Sequence, residues 1–149
     1  MDRLRILRAY PLLARRALKK TTPFRAWVDG ASRGNPGPAS AGVVIRDADG
    51  ATLKTLSIAL GTATNNVAEY SALLLALQEA ALQGASSVHL FTDSELVARQ
   101  WSGQYKIKDA QLRVFHRLAS HLAGHFKEVT VSHVPREANK EADAAANQA

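Results

Sequence analysis

Four carboxylates stand out by where they fall. Asp29 interrupts the apolar run FRAWVDG and Asp93 closes VHLFTDS, whereas most other acids lie on helix faces or in turns. A carboxylate at the end of a core strand is costly unless it is paired, hydrogen-bonded or bound to a metal. Glu69, in the first turns of a helix, can lean toward the same place. Asp143 lies in EADAAAN, where alanines at 142, 144, 145 and 146 let a helix approach closely. Each strand acid also has a structural use: Asp29 could accept amides of the Gly-rich stretch after it, and Asp93 could cap a helix starting at Ser94. That explanation is harder to sustain for both at once. Four oxygen donors, without a single cysteine or paired histidines, favour a hard cation such as Mg2+ or Mn2+ over zinc, which takes nitrogen or sulfur. Two such ions ~4 Å apart stabilise the entering and leaving oxygens of an in-line phosphoryl displacement. The residue types therefore point to divalent-metal phosphoryl transfer or hydrolysis and name no substrate. His89, His116, His121 and His125 have no carboxylate grouped with them and read as structural or surface residues.

The elements that must position these acids follow from periodicity and turn residues. FRAWVDGAS, from Phe24, predicts a strand running into the Gly/Pro-dense turn RGNPGPA. Strands are expected at 40–47 and 51–60, joined by the tight turn ADG. Connections this short make antiparallel neighbours. TNNVAEYSALLLALQEAALQG predicts a long helix capped by Asn65 or Asn66 and stopped by Gly84. The nearly continuous apolar run at 87–94 suits a buried central strand reached by a parallel crossover. A short helix at 94–101, an amphipathic helix at 110–124, a fifth strand at 127–134 and a final helix at 136–149 complete the chain. The order βββαβααβα describes an α/β domain, a five-stranded mixed sheet with its first three strands antiparallel and helices around it. With the first and fourth strands side by side, Asp29 and Asp93 reach one edge of the sheet, where α/β folds form their clefts.

A chain of 149 residues suits one domain, and its net charge of +6 is unevenly spread. Residues 1–23 hold seven basic side chains against Asp2, while 24–149 hold twelve of each sign. The sequence thus divides into a basic N-terminal arm, 1–23, and a catalytic domain, 24–149. Arginines interrupt the apolar residues of the arm, so a secretory signal is not expected, and no run approaches the ~20 apolar residues of a membrane span. The arm reads either as a basic amphipathic helix touching nucleic acid, a protein or a membrane surface, or as an extension packed on the body. Aromatic residues are only 6%, which argues against a stacking platform for single strands.

Four motifs, in this order, resemble the type 1 ribonuclease H family: DGASRGNPGPASAGVVI with Asp29, TNNVAEYSALLLAL with Glu69, LFTDSELVARQWSG with Asp93, and HVPREANKEADAAAN with Asp143. The resemblance covers residues 24–149. It implies a ribonuclease H-like fold and an endonuclease that hydrolyses the RNA strand of RNA–DNA hybrids, leaving 3′-hydroxyl and 5′-phosphate ends. It implies that Asp29, Glu69, Asp93 and Asp143 bind two Mg2+ or Mn2+ ions. Substrate contacts are implied for Ser32, Arg33, Gly34 and Asn35, in a loop that follows the minor groove and senses 2′-hydroxyls, which tell RNA from DNA. They are implied also for Asn65 and for Glu95, where studied members carry glutamine; Asn139, one helical turn before Asp143, could hold the active-site loop or the substrate. Two departures matter. The basic protrusion of many members is replaced by the short SGQYKIKDA, offering Lys106 and Lys108, and the arm is expected to supply the missing charge. The glycine-flanked histidine usual before the last acid is absent. His133 lies ten residues before Asp143 at a strand end, and Arg136 is the preferred substitute, positioning the scissile phosphate because arginine cannot act as a base. The rival readings are a nuclease that also cuts double-stranded RNA and a non-catalytic hybrid-binding module. Four unneutralised carboxylates argue against the module. A cytoplasmic location and no obligate protein partner complete the expectation.

Overall fold

The computed structural model describes residues 23–149; the arm expected over 1–23 lies outside the described residues but for Pro23. The strands are β1 (Phe24–Ser32), β2 (Gly37–Arg46), β3 (Thr52–Ala63), β4 (Ser87–Thr92) and β5 (Glu128–His133). The helices are α1 (Asn65–Leu82), α2 (Glu95–Trp101), α3 (Ala110–Ala123) and α4 (Lys140–Gln148). The sheet order is β3-β2-β1-β4-β5, with β1 antiparallel to β2, β2 antiparallel to β3, and β1, β4 and β5 mutually parallel. This is the expected ribonuclease H-like order, βββαβααβα.

Alternation along β1 sends its two faces to different layers. Phe24, Ala26 and Val28 join the main core with Tyr70, Leu73 and Leu77 of α1, Leu90 of β4 and Leu112 of α3. Trp27 faces the other way and packs with Val44, Ala142 and Ala145 in a small second core, where Phe91 stacks on its ring at 4.5 Å. Helices therefore cover both sides of the sheet.

Several boundaries differ from expectation for local reasons. The β1–β2 turn is tighter than RGNPGPA suggests, because the Arg33 N–H donates to Pro38 O at 2.9 Å and β2 begins at Gly37. α1 is capped by Thr64, not by either asparagine: Thr64 has extended backbone, and its hydroxyl accepts from Val67 N at 3.2 Å. The helix ends at Leu82 with Gln83 as its cap, and Gly84, with φ 73°, turns the chain away while Ala85 N bonds back to Ala80 O, as a left-handed C′ glycine allows. The final helix does not start after Pro135. A 3-10 turn, Arg136–Ala138, comes first, and α4 begins only at Lys140, because Asn139 between them leaves helical geometry (φ −119°, ψ 21°). No described helix is long and apolar enough to cross a membrane.

Candidate active site

The β1–β4 ladder ends at the pair Val28–Thr92, so Asp29 and Asp93 are the next residues on two adjacent parallel strands. Neither acid performs the structural task open to it. Ser94, not Asp93, caps α2, accepting from Val97 N at 3.3 Å, and Thr92 Oγ1 accepts the Ser94 N–H at 3.0 Å. The Gly-rich turn after β1 is closed by its own backbone and by the Ser32 hydroxyl, which donates to Gly34 O and to Ala63 O at 2.9 Å.

Two glycines let helices bring in the other acids. A Cβ on Gly30 would stand 2.2 Å from both the Ala68 carbonyl carbon and the Glu69 nitrogen, so α1 rests directly on β1 beside Asp29. On the opposite face, a Cβ on Gly42 would stand 2.4 Å from Ala146 N and 2.5 Å from Ala142 O, so α4 rests on β2, whose Gly42 pairs with Asp29. Ser57 fastens α4 by donating to Ala145 O at 2.5 Å, and Ser40 donates to Ala146 O.

The result is a compact acidic group. Asp29, Glu69 and Asp93 each offer an oxygen within 4.8 Å of the others, from β1, α1 and the end of β4. Asp29 is 4% exposed. Burial pushes its carboxyl up to about 7, helped by the charge of Asp93 and then by Asp143. Glu69 is held well above the ordinary carboxylate range, by burial first and then by Asp29 and Asp93, against a hydrogen bond from the Gly30 backbone that favours its charge. Asp143 lies in the first turn of α4, exposed and outside this three-residue group, on the Asp29 side.

A divalent cation fits these residues. Glu69 Oε2 is buried with no hydrogen-bond partner, an arrangement that costs free energy unless a donor or cation occupies the space. The donors are all carboxylate oxygens, the set that Mg2+ and Mn2+ prefer.

The remaining residues divide by position. Asn35 Oδ1 accepts from Asn65 N at 3.0 Å, tying the turn after β1 to the start of α1. Both asparagines are exposed, as are Arg33 and Gly34, while Ser32 is half-buried. Glu95 is exposed and paired with Arg99 at 2.8 Å. Lys106 and Lys108 are exposed between α2 and α3, Arg136 is exposed on the 3-10 turn, and His133 is exposed at the end of β5. Asn139 differs from all of them. It is fully buried and has no face for a substrate. Trp101 is half-buried against His116, at 5.7 Å between rings. Asn147 was missed: its Nδ2 donates to Asp143 O at 2.9 Å and lies 3.4 Å from Asp143 Oδ1. Its spacing, one helical turn beyond Asp143, was the available signal.

Residues 27–149 match the family model described as reverse transcriptase-like. Ribonuclease HI of Halobacterium salinarum is 44% identical over 124 residues, 83% of this chain and 62% of that protein. A bifunctional protein of Mycobacterium tuberculosis is 44% identical over 122 residues, 81% of this chain and 34% of that protein. The chain thus spans less than two thirds of the first relative's length and about a third of the second's. Among solved structures, RNase H1 from Halobacterium salinarum superposes with a TM-score of 0.82 at 42% identity, covering 85% of this chain and 96% of that one. LC11-RNase H1, solved in complex with an RNA/DNA hybrid, gives 0.81 at 40% identity over 85% of this chain and 95% of that one. With its strand order, its acidic group and near-complete coverage of a solved RNase H1, the chain belongs to the type 1 ribonuclease H family.

Proposed function

We propose that the chain is an endonuclease hydrolysing the RNA strand of RNA–DNA hybrids, with Asp29, Glu69, Asp93 and Asp143 as its catalytic and ion-holding residues. The observation that carries this reading is the convergence of three carboxylates within 4.8 Å at the fork between β1 and β4, one with an unpartnered buried oxygen. That a relative 40% identical is solved with an RNA/DNA hybrid supports the choice of substrate.

Asp29, Glu69 and Asp93 would hold two Mg2+ or Mn2+ ions, with Asp143 completing the set on the solvent side. Ions bound there supply positive charge to the scissile phosphate and lower the barrier to attack by water. Asp143, exposed beside Asp29, orients the attacking water. The new P–O bond forms as the bond to the ribose 3′-oxygen breaks; the attacking water releases a proton to solvent and the departing oxygen takes one from solvent, leaving a 5′-phosphate and a 3′-hydroxyl. Ser32, Arg33, Gly34 and Asn35 follow the minor groove, and the Asn35–Asn65 hydrogen bond fixes that turn relative to Glu69's helix. Arg136 positions the backbone phosphate, Lys106 and Lys108 hold the DNA strand, and the arm at 1–23 adds charge to the body at 24–149. We place this activity in the cytoplasm on the substrate's account, since hybrids arise where nucleic acid is copied.

The test is cleavage of end-labelled hybrid, double-stranded RNA and double-stranded DNA in Mg2+, Mn2+ and EDTA. The expected result is ion-dependent cutting of the RNA strand of the hybrid alone, with 3′-hydroxyl and 5′-phosphate ends. Equal cutting of double-stranded RNA would overturn the hybrid preference, and cutting in EDTA would overturn the role of the ions.

A further inference from the structure

The use of Asn139 is not explained by capping or by substrate contact. It stands at the N-cap of α4, where asparagine ordinarily accepts a hydrogen bond from the first helical turn, yet its side chain makes no capping bond. It turns inward instead and is 0% exposed. Nδ2 donates to Val28 O at 2.9 Å, on the last rung of the β1–β4 ladder and one residue before Asp29. The Asn139 carbonyl accepts the Asp143 N–H at 3.0 Å. One residue thus holds the backbone beside Asp29 with its side chain and the backbone of Asp143 with its main chain. The arrangement is bought with stability, because Asn139 Oδ1 is buried without a partner, which an apolar side chain at this position would avoid.

We propose that Asn139 is a positioning residue that fixes Asp143 relative to Asp29, and so sets the geometry in which the two carboxylates share the ions. From β1 the first turn of α4 is reached by the Asn139 amide and by the carboxyl of Asp29 itself, which hydrogen-bonds to Asp143; from β2 and β3 it is reached by Arg46 and Thr52, which both meet Glu141. Without the amide, α4 would still be seated by Gly42 against Ala142 and Ala146 and by Ser40 and Ser57 at the carbonyls of Ala146 and Ala145. Its first turn, carrying Asp143, would lose its amide tie to the backbone beside Asp29 and keep only contacts that run to β2 and β3 through Glu141 and the direct contact of Asp143 with Asp29. The expected consequence is a loss of rate rather than of substrate binding, and a weaker grip on the ions.

This inference rests on the nuclease reading, so the experiment separates the two. Wild type, Asn139→Ala, Asp143→Ala and the double variant are assayed on hybrid across a Mg2+ titration, at a temperature where circular dichroism shows each folded. Mn2+ affinity is measured independently by calorimetry. Asn139→Ala should lower kcat by at least about 10-fold, leave KM for the hybrid within about 2-fold, and raise the Mg2+ concentration at half-maximal rate. In the Asp143→Ala background the same substitution should change kcat less than about 2-fold, because its effect passes through Asp143. If Asn139→Ala does not fold, Asn139→Gln, which keeps the amide but displaces it by one methylene, carries the same expectations. A folded variant with wild-type kcat and Mn2+ affinity, or a full loss persisting without Asp143, would overturn the inference and leave the nuclease reading standing. A wild type that does not cut hybrid would overturn both.

Discussion

The acidic group should make the ion-free protein lose stability as pH rises, and one substitution should remove most of that loss. Burial and neighbouring charge raise the Asp29 carboxyl from 3.8 to about 7. A carboxyl raised by folding holds its proton more tightly in the folded state than in the unfolded one. Its contribution is therefore complete below the ordinary carboxylate range, declines as pH climbs from about 4 to about 7, and is flat above. At ~1.36 kcal/mol per pH unit the full loss is on the order of 4 kcal/mol, more than half of it between pH 5 and pH 8. Glu69 is shifted in the same direction and steepens the fall. For a domain of this size, a loss on the order of 2–3 kcal/mol corresponds to roughly 10 °C in Tm. The assay is a Tm series by calorimetry in EDTA from pH 5 to pH 8, for wild type and Asp29→Asn. The difference between the two curves cancels groups elsewhere in the chain. Wild type should fall by several degrees more than the variant, and millimolar Mg2+ at pH 8 should restore wild type while leaving pH 5 nearly unchanged. Parallel curves, or Mg2+ raising both proteins equally at both pH values, would refute the electrostatic account of the site.

Other perturbations test the positioning of the acids. Gly30→Ala should cost about 3 kcal/mol or more and sharply reduce turnover, since its Cβ must displace α1 from 2.2 Å contacts at Ala68 and Glu69; a denaturant midpoint equal to wild type would refute that packing. Thr64→Ala should cost about 1 kcal/mol with little change in kcat, whereas replacing Asn66 by alanine should change stability by less than about 0.5 kcal/mol. Deleting residues 1–20 should weaken hybrid binding and flatten its dependence on salt, with the rate at saturation unchanged; an unaltered affinity and salt slope would remove the arm from substrate binding.

The succession of elements, the antiparallel pairing of the first three strands and a common neighbourhood for the acids could be read from sequence because the signals were local and consistent, whereas the place of β5 beside β4 could not. Short Gly-rich turns forced an antiparallel hairpin, and acids closing two apolar strands had no simple use in a core. What could not be read was how closely the layers meet. Gly30 and Gly42 look like ordinary strand glycines until α1 and α4 are in place, and only then does a missing Cβ explain how Glu69 and Asp143 approach Asp29. The helix starts were obscured for a related reason. Thr64, Asn65 and Asn66 are all good caps by type, and only backbone geometry selects Thr64. Asn139 reads in sequence as a residue inside the last helix that could hold the active-site loop or the substrate, and only tertiary contact shows its amide fully buried against the Val28 carbonyl of β1.

The central claim is that three carboxylates from β1, α1 and the end of β4 act as one ion-dependent hydrolytic site. Single-turnover cleavage of labelled hybrid in Mg2+ by wild type, Asp29→Asn and Asp93→Asn tests it most directly. Each substitution keeps side-chain volume and removes one charge, and each should slow the cleavage step by at least about 100-fold, equivalent to ~2.7 kcal/mol of barrier, with the fold intact. Near wild-type cleavage by folded Asp93→Asn would contradict it.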